Sequence, residues 1–166
     1  MRASVRSVDR VEEAHLMETI GKWLERDVRP IVKEYDHADK YPHELVEQMK
    51  EFGLFGATVS QEYGGLGLPA TTYAKLVMQI SSVWMAITGI FNSHLMLALA
   101  IEKFGTPAQK SHWLPKLATG EIRGGLALTE PDCGTDLQAI RTRAVKRGNS
   151  AYVVNGTKTW ISNGIE

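Results

Sequence analysis

The sequence predicts an α+β chain, an all-α N-terminal helical domain followed by the first strands of an antiparallel β domain. Two observations carry that expectation. Up to about residue 119 apolar residues recur at three- and four-residue spacing, the repeat of a helix with one buried face. From Ile122 onward short β-branched and aromatic runs are separated by glycine, threonine and asparagine, the repeat of strands and turns. The change of period places the seam near residues 120–124. The predicted divisions are an N-terminal tail over 1–8, a helical domain over 9–121 and part of a β domain over 122–166.

The first helix is expected from near Asp9 to about Tyr35. Asp9 and Glu12 form its cap, and Leu16, Ile20, Trp23, Leu24, Val28, Ile31 and Tyr35 form its stripe. Pro30 should kink it, because the ring removes a donor and crowds the preceding turn. A second helix opens at Pro42, buries Leu45, Met49 and Phe52, and stops at Gly53. Residues 53–68 hold five glycines and read as an ordered, turn-rich connection. From Pro69 the helical spacing resumes through Tyr73, Leu76, Ile80, Trp84, Ile87 and Ile90, with two core helices expected to meet near residues 91–94. The apolar window Val83–Ile101 approaches bilayer length, but Asn92-Ser93-His94 would sit at its costly centre, so the reading is a core helix and no membrane span. Thr106, Pro107, Gln109 and Gly120 mark the start and stop of a further helix. Ile122–Leu128 and Ile140–Val145 read as strands. Tyr152-Val153-Val154, Asn155-Gly156 and Thr157–Trp160 read as a hairpin with a tight turn.

Composition excludes several classes. The chain has 166 residues, 19 basic against 19 acidic, and no electrostatic footprint for nucleic acid. Its single cysteine cannot close an internal disulfide, and no cysteine or histidine cluster has metal-ligand spacing, so no metal is expected. A reducing compartment follows, cytoplasmic or, in a eukaryote, the mitochondrial matrix. The start, Met1-Arg2-Ala3-Ser4-Val5-Arg6, is basic without an apolar stretch. Acidic Asp9, Glu12 and Glu13 weigh against a transit peptide.

The chemistry-bearing residues lie in two blocks. Ala127-Leu128-Thr129-Glu130-Pro131-Asp132-Cys133-Gly134-Thr135-Asp136 ends an apolar run in a hydroxyl, a carboxylate and a rigid turn, then opens into a small loop. Gly134 lets backbone approach a ligand, and the neighbouring amides with the Thr135 hydroxyl suit an acceptor group such as phosphate. The second block is Lys158-Thr159-Trp160-Ile161-Ser162-Asn163-Gly164. Neither offers an activated nucleophile.

Taken in order with Glu62-Tyr63-Gly64-Gly65-Leu66-Gly67 upstream, these blocks resemble the acyl-CoA dehydrogenase family, from about residue 9 to the end of the chain and over the first part of a family member. Cys133 departs from the family's usual alanine or glycine, but it is small and the loop is expected to be kept. The resemblance implies FAD as cofactor. Leu126, Ala127, Leu128 and Thr129, with Gly134 and Thr135, would line the isoalloxazine and pyrophosphate side, and Thr135 would also reach the CoA portion of the substrate. Trp160 would pack on the flavin face opposite the substrate, with Ile161 and Ser162 bonding the ring edge. The alternative for Trp160 is an ordinary core aromatic on a strand, but a large flat side chain next to a hydrogen-bonding serine favours the aromatic cofactor. His94 reads as a core or boundary histidine before a substrate contact, as Arg141, Arg143, Lys146 and Arg147 read as a solvated strand face before a CoA-phosphate site.

The implied reaction is α,β-dehydrogenation of a saturated acyl-CoA in fatty acid metabolism. An electron-transferring flavoprotein would be the acceptor, and the complete protein a homo-oligomer. The family's base is a glutamate on a later helical domain, so no catalytic residue is assigned here; Glu130 belongs to the structural turn and Glu62 to a loop. The chain alone is therefore expected to bind FAD weakly or not at all, to be inactive, and to expose apolar surface along residues 69–104. An acyl-CoA oxidase or flavin monooxygenase on the same scaffold, or a non-catalytic helical binding module, are the alternative readings.

Overall fold

A computed structural model describes residues 10–149 and 151–164. The predicted tail over 1–8 and the Asp9 cap lie outside them. Six helices precede a two-stranded antiparallel sheet among the described residues: α1 Arg10–Trp23, α2 Val32–His37, α3 His43–Glu51, α4 Ala70–Ser81, α5 Met85–Phe104, α6 Pro107–Thr119, β1 Arg143–Arg147 and β2 Ala151–Asn155.

The first helix divides around Pro30 more thoroughly than a kink. After α1 the chain widens into a π turn over Leu24–Val28, closed by Arg29 N–H on Leu24 O, and α2 starts afresh at Val32. A proline that cannot donate leaves the turn before it without its usual bond. Trp23 is buried, donates through Nε1 to Gln48 Oε1 on α3 at 2.7 Å, and tilts against Phe52. On α1, Glu13 accepts from Thr72 and Lys75, which ties α1 to α4.

Gly53 ends the α3 region with φ 69°, a conformation glycine adopts at least cost. Residues 54–68 then fold back on themselves: Leu66 N–H bonds Gly56 O at 2.9 Å, Gly67 N–H bonds Val59 O at 2.9 Å, and Leu68 N–H bonds Ala57 O at 2.8 Å. The expected turn-rich connection is thus a compact, internally bonded loop.

The long apolar stretch breaks at Ser82–Trp84 and not near 91–94. Trp84 is extended, at φ −152° and ψ 104°, and its Nε1 reaches Asp36. Residues 91–94 are mid-helix, because Asn92 and Ser93 leave the apolar face while His94 is accommodated within it. α5 is long and apolar enough to cross a membrane by length and composition, yet it buries Ile87, Thr88, Phe91, His94, Leu95 and Ala98 in the protein. His94 is fully buried, donates through Nε2 to Leu117 O at 2.9 Å, and meets Phe55 edge-on. α6 carries the expected capping box, with Thr106 and Gln109 each bonding the other's backbone N–H, and Gly120 stops it at φ 73°.

Burial pushes the His94 pKa below its ordinary 6.5, so the ring takes a proton more readily unfolded than folded. Its contribution to stability is complete above pH 6.5 and is lost as pH falls below that value. His94→Ala should cost about 2–4 kcal/mol by opening a void and leaving the Leu117 carbonyl unpaired. A thermal melt should show a drop of about 4–16 °C and less acid sensitivity between pH 7 and 5 than the parent.

The apolar core is built from the helices together with the 54–59 loop segment: among the described residues Ala118 is its last member, with Cys133 the one buried hydrophobic residue beyond it. Met78, Met85 and Phe104 leave the α4–α5 region with exposed apolar surface, as expected.

The β region needs three corrections. Residues 122–128 form no strand, because no ladder of hydrogen bonds runs along them. The strand expected at Ile140–Val145 starts later, at Arg143. The hairpin is β1 with β2, pairing Arg143 with Asn155 and Arg147 with Ala151, so its turn includes Gly148 at φ 65° and not Asn155-Gly156. Thr157–Trp160 is not a strand. Asn-Gly is a strong turn signal, but Gly156 instead passes close to Thr142, where a Cβ would stand 2.1 Å from Thr142 Oγ1.

Candidate functional site

The two blocks come together beside α5. Residues 123–129 run past that helix so closely that a Cβ on Gly124 would stand 2.5 Å from Leu97 Cδ2, and one on Gly125 would stand 2.9 Å from Ser93 Oγ and 2.8 Å from Ser162 O. At Gly125 a backbone oxygen stands in the way of any side chain, whereas at Gly124 only the movable end of Leu97 does. The second block lies on the other side of this segment. Thr159 N–H bonds Thr129 O at 2.9 Å, Lys158 Nζ donates to Leu128 O at 2.9 Å, and Asn163 Nδ2 donates to Gly124 O at 3.0 Å and to Ile90 O on α5 at 3.1 Å.

Glu130 is the anchor of the first block. It exchanges both backbone bonds with Cys133 across Pro131-Asp132, which closes a tight turn around the buried Cys133 side chain. Its carboxylate is buried and accepts from Arg141 N–H at 2.7 Å, Thr142 N–H at 2.9 Å and Lys158 Nζ at 2.9 Å. Hydrogen bonds from Thr142, the Arg141 amide and the Lys158 ammonium hold its pKa down to about 2. A carboxylate so occupied is a weak base, and it joins Glu130–Cys133, the 141–142 backbone and Lys158 in one unit.

The expected flavin-lining residues fall into two groups. The segment holding Leu126, Ala127, Leu128 and Thr129 lies beside the one holding Trp160, Ile161 and Ser162, joined by the bonds of Lys158, Thr159 and Asn163. Gly134 and Thr135 follow the Cys133 turn and are exposed; a Cβ on Gly134 would meet nothing within 4 Å, and Thr135 O accepts from Leu137 N–H at 3.0 Å. Trp160 is not a core aromatic on a strand. Its side chain is 92% exposed and its backbone is left-handed at φ 58°. Beside it, Thr159 Oγ1 is buried with no hydrogen-bond partner among the described residues. β1 is exposed along its whole length and Arg141 pairs with Asp132 at the surface, as a solvated strand face would be.

Lys158 and Asn163 stand within the motif, but nothing in the sequence gives either a role. Asn163 carried a signal, since an Asn-Gly pair outside a hairpin favours the left-handed conformation it adopts at φ 60°. The Lys158–Glu130 pair carried none, because the two residues are far apart in sequence with no periodic relation. Asn92 accepts from the Tyr73 hydroxyl at 2.7 Å, beside a groove of about 360 Å³ lined by Thr58, Leu68, Leu95 and Met96. His94 does not reach it; it is a core histidine.

The fit to an aromatic cofactor rests on two features: an exposed indole held by fixed backbone, and an open glycine loop after the Cys133 turn. A flat ring would cover the indole.

Comparison with known proteins gives a consistent assignment. The family described as acyl-CoA dehydrogenase, N-terminal domain, matches residues 10–121, and that described as acyl-CoA dehydrogenase, middle domain, matches residues 125–166. The chain is 38% identical over 154 residues to the short-chain-specific acyl-CoA dehydrogenase of Clostridium acetobutylicum, covering 92% of this chain and 40% of that protein. A glutaryl-coenzyme A dehydrogenase solved with glutaryl-CoA superposes with a TM-score of 0.86 at 30% identity, over 95% of this chain and 40% of the other. A glutaryl-CoA dehydrogenase of Mycobacterium smegmatis solved with FADH2 gives 0.77 at 30% identity, over 93% and 39%. The chain thus spans about 40% of the length of such relatives.

Proposed function

Because the chain belongs to the acyl-CoA dehydrogenase family, we propose that it supplies the helical platform, residues 9–121, and the flavin-facing wall, within residues 122–166, of an FAD-dependent α,β-dehydrogenase of saturated acyl-CoA thioesters. Bound FAD would accept the hydride leaving the β-carbon of the substrate. Trp160 carries the reading: a nearly fully exposed indole, pinned by the Thr159 and Asn163 bonds on either side, is a surface made to be covered.

In this reading Leu126–Thr129 and Trp160–Ser162 hold the ring, Gly134 and Thr135 approach the pyrophosphate, and Thr135 also reaches the CoA portion. Residues of this chain bind and orient, and exclude water from one face of the ring. Glu130 does not take the α-proton, because both its oxygens are engaged and its pKa of about 2 leaves it little affinity for one. The proton acceptor comes from outside these residues. An electron-transferring flavoprotein as oxidant, and a homo-oligomeric complete protein in the cytoplasm or mitochondrial matrix, belong to the same proposal. Support comes from the family match, from a relative solved with FADH2, and from the wall's exposed indole.

The test is the absorbance spectrum of the purified chain, alone and mixed with the polypeptide encoded directly downstream, before and after a saturated acyl-CoA is added without oxygen. Flavin retained by the mixture and bleached by substrate is the expected result. No flavin in either preparation would move the assignment to a non-catalytic helical module, and rapid oxygen consumption after bleaching would move it to an oxidase. Trp160→Ala should weaken FAD binding about tenfold, the equivalent of roughly 1.4 kcal/mol of lost aromatic contact, measured by flavin titration.

A further inference from the structure

We infer that Asn163 is a positioning residue that locks both halves of the flavin-facing wall to α5, so that the helical platform sets the placement of Trp160 and Ser162. The role of the wall rests on the FAD reading above; the lock rests on geometry.

One side-chain amide spends both of its hydrogens on carbonyls from two other parts of the chain. Asn163 Nδ2 donates to Ile90 O, 73 positions away on α5, and to Gly124 O, 39 positions away at the start of the first wall segment. Ile90, Ser93 and Leu97 share one face of α5, and Ser93 and Leu97 are the side chains against which Gly125 and Gly124 pass. Ser162 O closes on Gly125 from the other side. Helix, first segment and second segment therefore meet at one point, and Asn163 bonds all of them together.

The lock sits between the residues it serves. Gly124 lies two residues before Leu126–Thr129, and Asn163 immediately follows Trp160–Ser162. Trp160 is bulky and left-handed at φ 58°, a conformation that persists only where the surroundings over-determine it. The Thr159–Thr129 bond holds its leading side at 2.9 Å and the Asn163 bonds hold its trailing side. Asn163 itself adopts φ 60°, which asparagine tolerates better than most residues, and its amide supplies the donors.

Two substitutions separate the donors from the backbone conformation. Asn163→Gly keeps the left-handed geometry and removes both donors. Asn163→Asp keeps the shape and turns an acceptor toward two carbonyls. Both variants should keep the parent's far-ultraviolet circular dichroism and thermal midpoint, since the apolar core cluster ends at Ala118, before the wall begins. In the chain completed by its downstream polypeptide, both should bind FAD about tenfold or more weakly, as expected for two lost hydrogen bonds. In the chain without flavin, both should exchange the Thr159 amide about tenfold faster, because its bond to Thr129 O opens with the wall. Parental exchange and parental FAD affinity in Asn163→Gly would overturn the lock. Failure of the parent itself to bind FAD would overturn the reading of the wall instead, and the exchange rates would still decide the lock.

Discussion

Alanine at position 65 should strongly destabilise the helical platform. Its Cβ would stand 2.1 Å from Val59 O and 2.6 Å from Val59 C, both backbone atoms that no rotamer change can move aside. Relief requires the 56–59 and 65–68 segments to separate, which strains the bonds from Leu66 to Gly56, from Gly67 to Val59 and from Leu68 to Ala57. Those segments carry Val59 and Ala57 in the core, and Gly56 itself lies so close to α6 that a Cβ would stand 2.7 Å from Ala118 O. Lost bonds and opened packing together should cost about 3 kcal/mol or more. A fall of roughly 6–12 °C in the thermal midpoint corresponds. Gly64→Ala is the control: nothing lies within 4 Å of its Cβ position, and only its φ of 83° is unfavourable, worth about 1–2 kcal/mol. Equal effects at 64 and 65 would show that backbone conformation, and not the close approach, makes the loop glycines necessary.

The second large effect is expected at Glu130. Its folded pKa of about 2 lies below the ordinary 4.5, so the folded chain holds this proton more weakly than the unfolded chain does. The resulting stabilisation is fully present above pH 4.5 and disappears as pH falls toward 2. The Arg141 and Thr142 amides, which the carboxylate accepts from, should exchange slowly above pH 4.5 and gain fast opening below it, after correction for intrinsic rates. Glu130→Gln presents an NH2 group where two amides and an ammonium all need acceptors. At neutral pH it should already show the open exchange of the acidified parent, together with loss of the Lys158 tie. An unchanged pH profile in that variant would assign the acid transition to another carboxylate.

Helix content and most helix ends were legible because their causes are local. Thr106 with Gln109, Gly53 and Gly120 act within one or two turns, and the apolar stripes identify the buried faces. The break at Ser82–Trp84 was missed because helical spacing continues across it; an extended Trp84 reaching Asp36 is a tertiary choice. The β region was read worst for the same reason. Residues 122–128 have strand-like composition, but a strand exists only where a neighbour bonds along it, and periodicity does not say which segments become neighbours. The candidate site shows the same division. Its motif residues were visible as letters, whereas the glycine passage at 124–125, the Glu130–Lys158 pair and the reach of Asn163 to Ile90 depend on the folded chain alone.

The restriction of the apolar core to residues before 120 bears on the order in which the molecule is made. During synthesis every large core side chain among the described residues has been made once α6 is complete, so the platform can collapse before the wall segments have left the ribosome. The wall has to wait. Its closure joins residue 163 to residue 90, and the β1–β2 ribbon, exposed on both strands, gains little by forming before that docking. The nascent chain should therefore pass through a state with a finished platform and an undocked ribbon, in which the wall does not yet exist although the helices before it are already native.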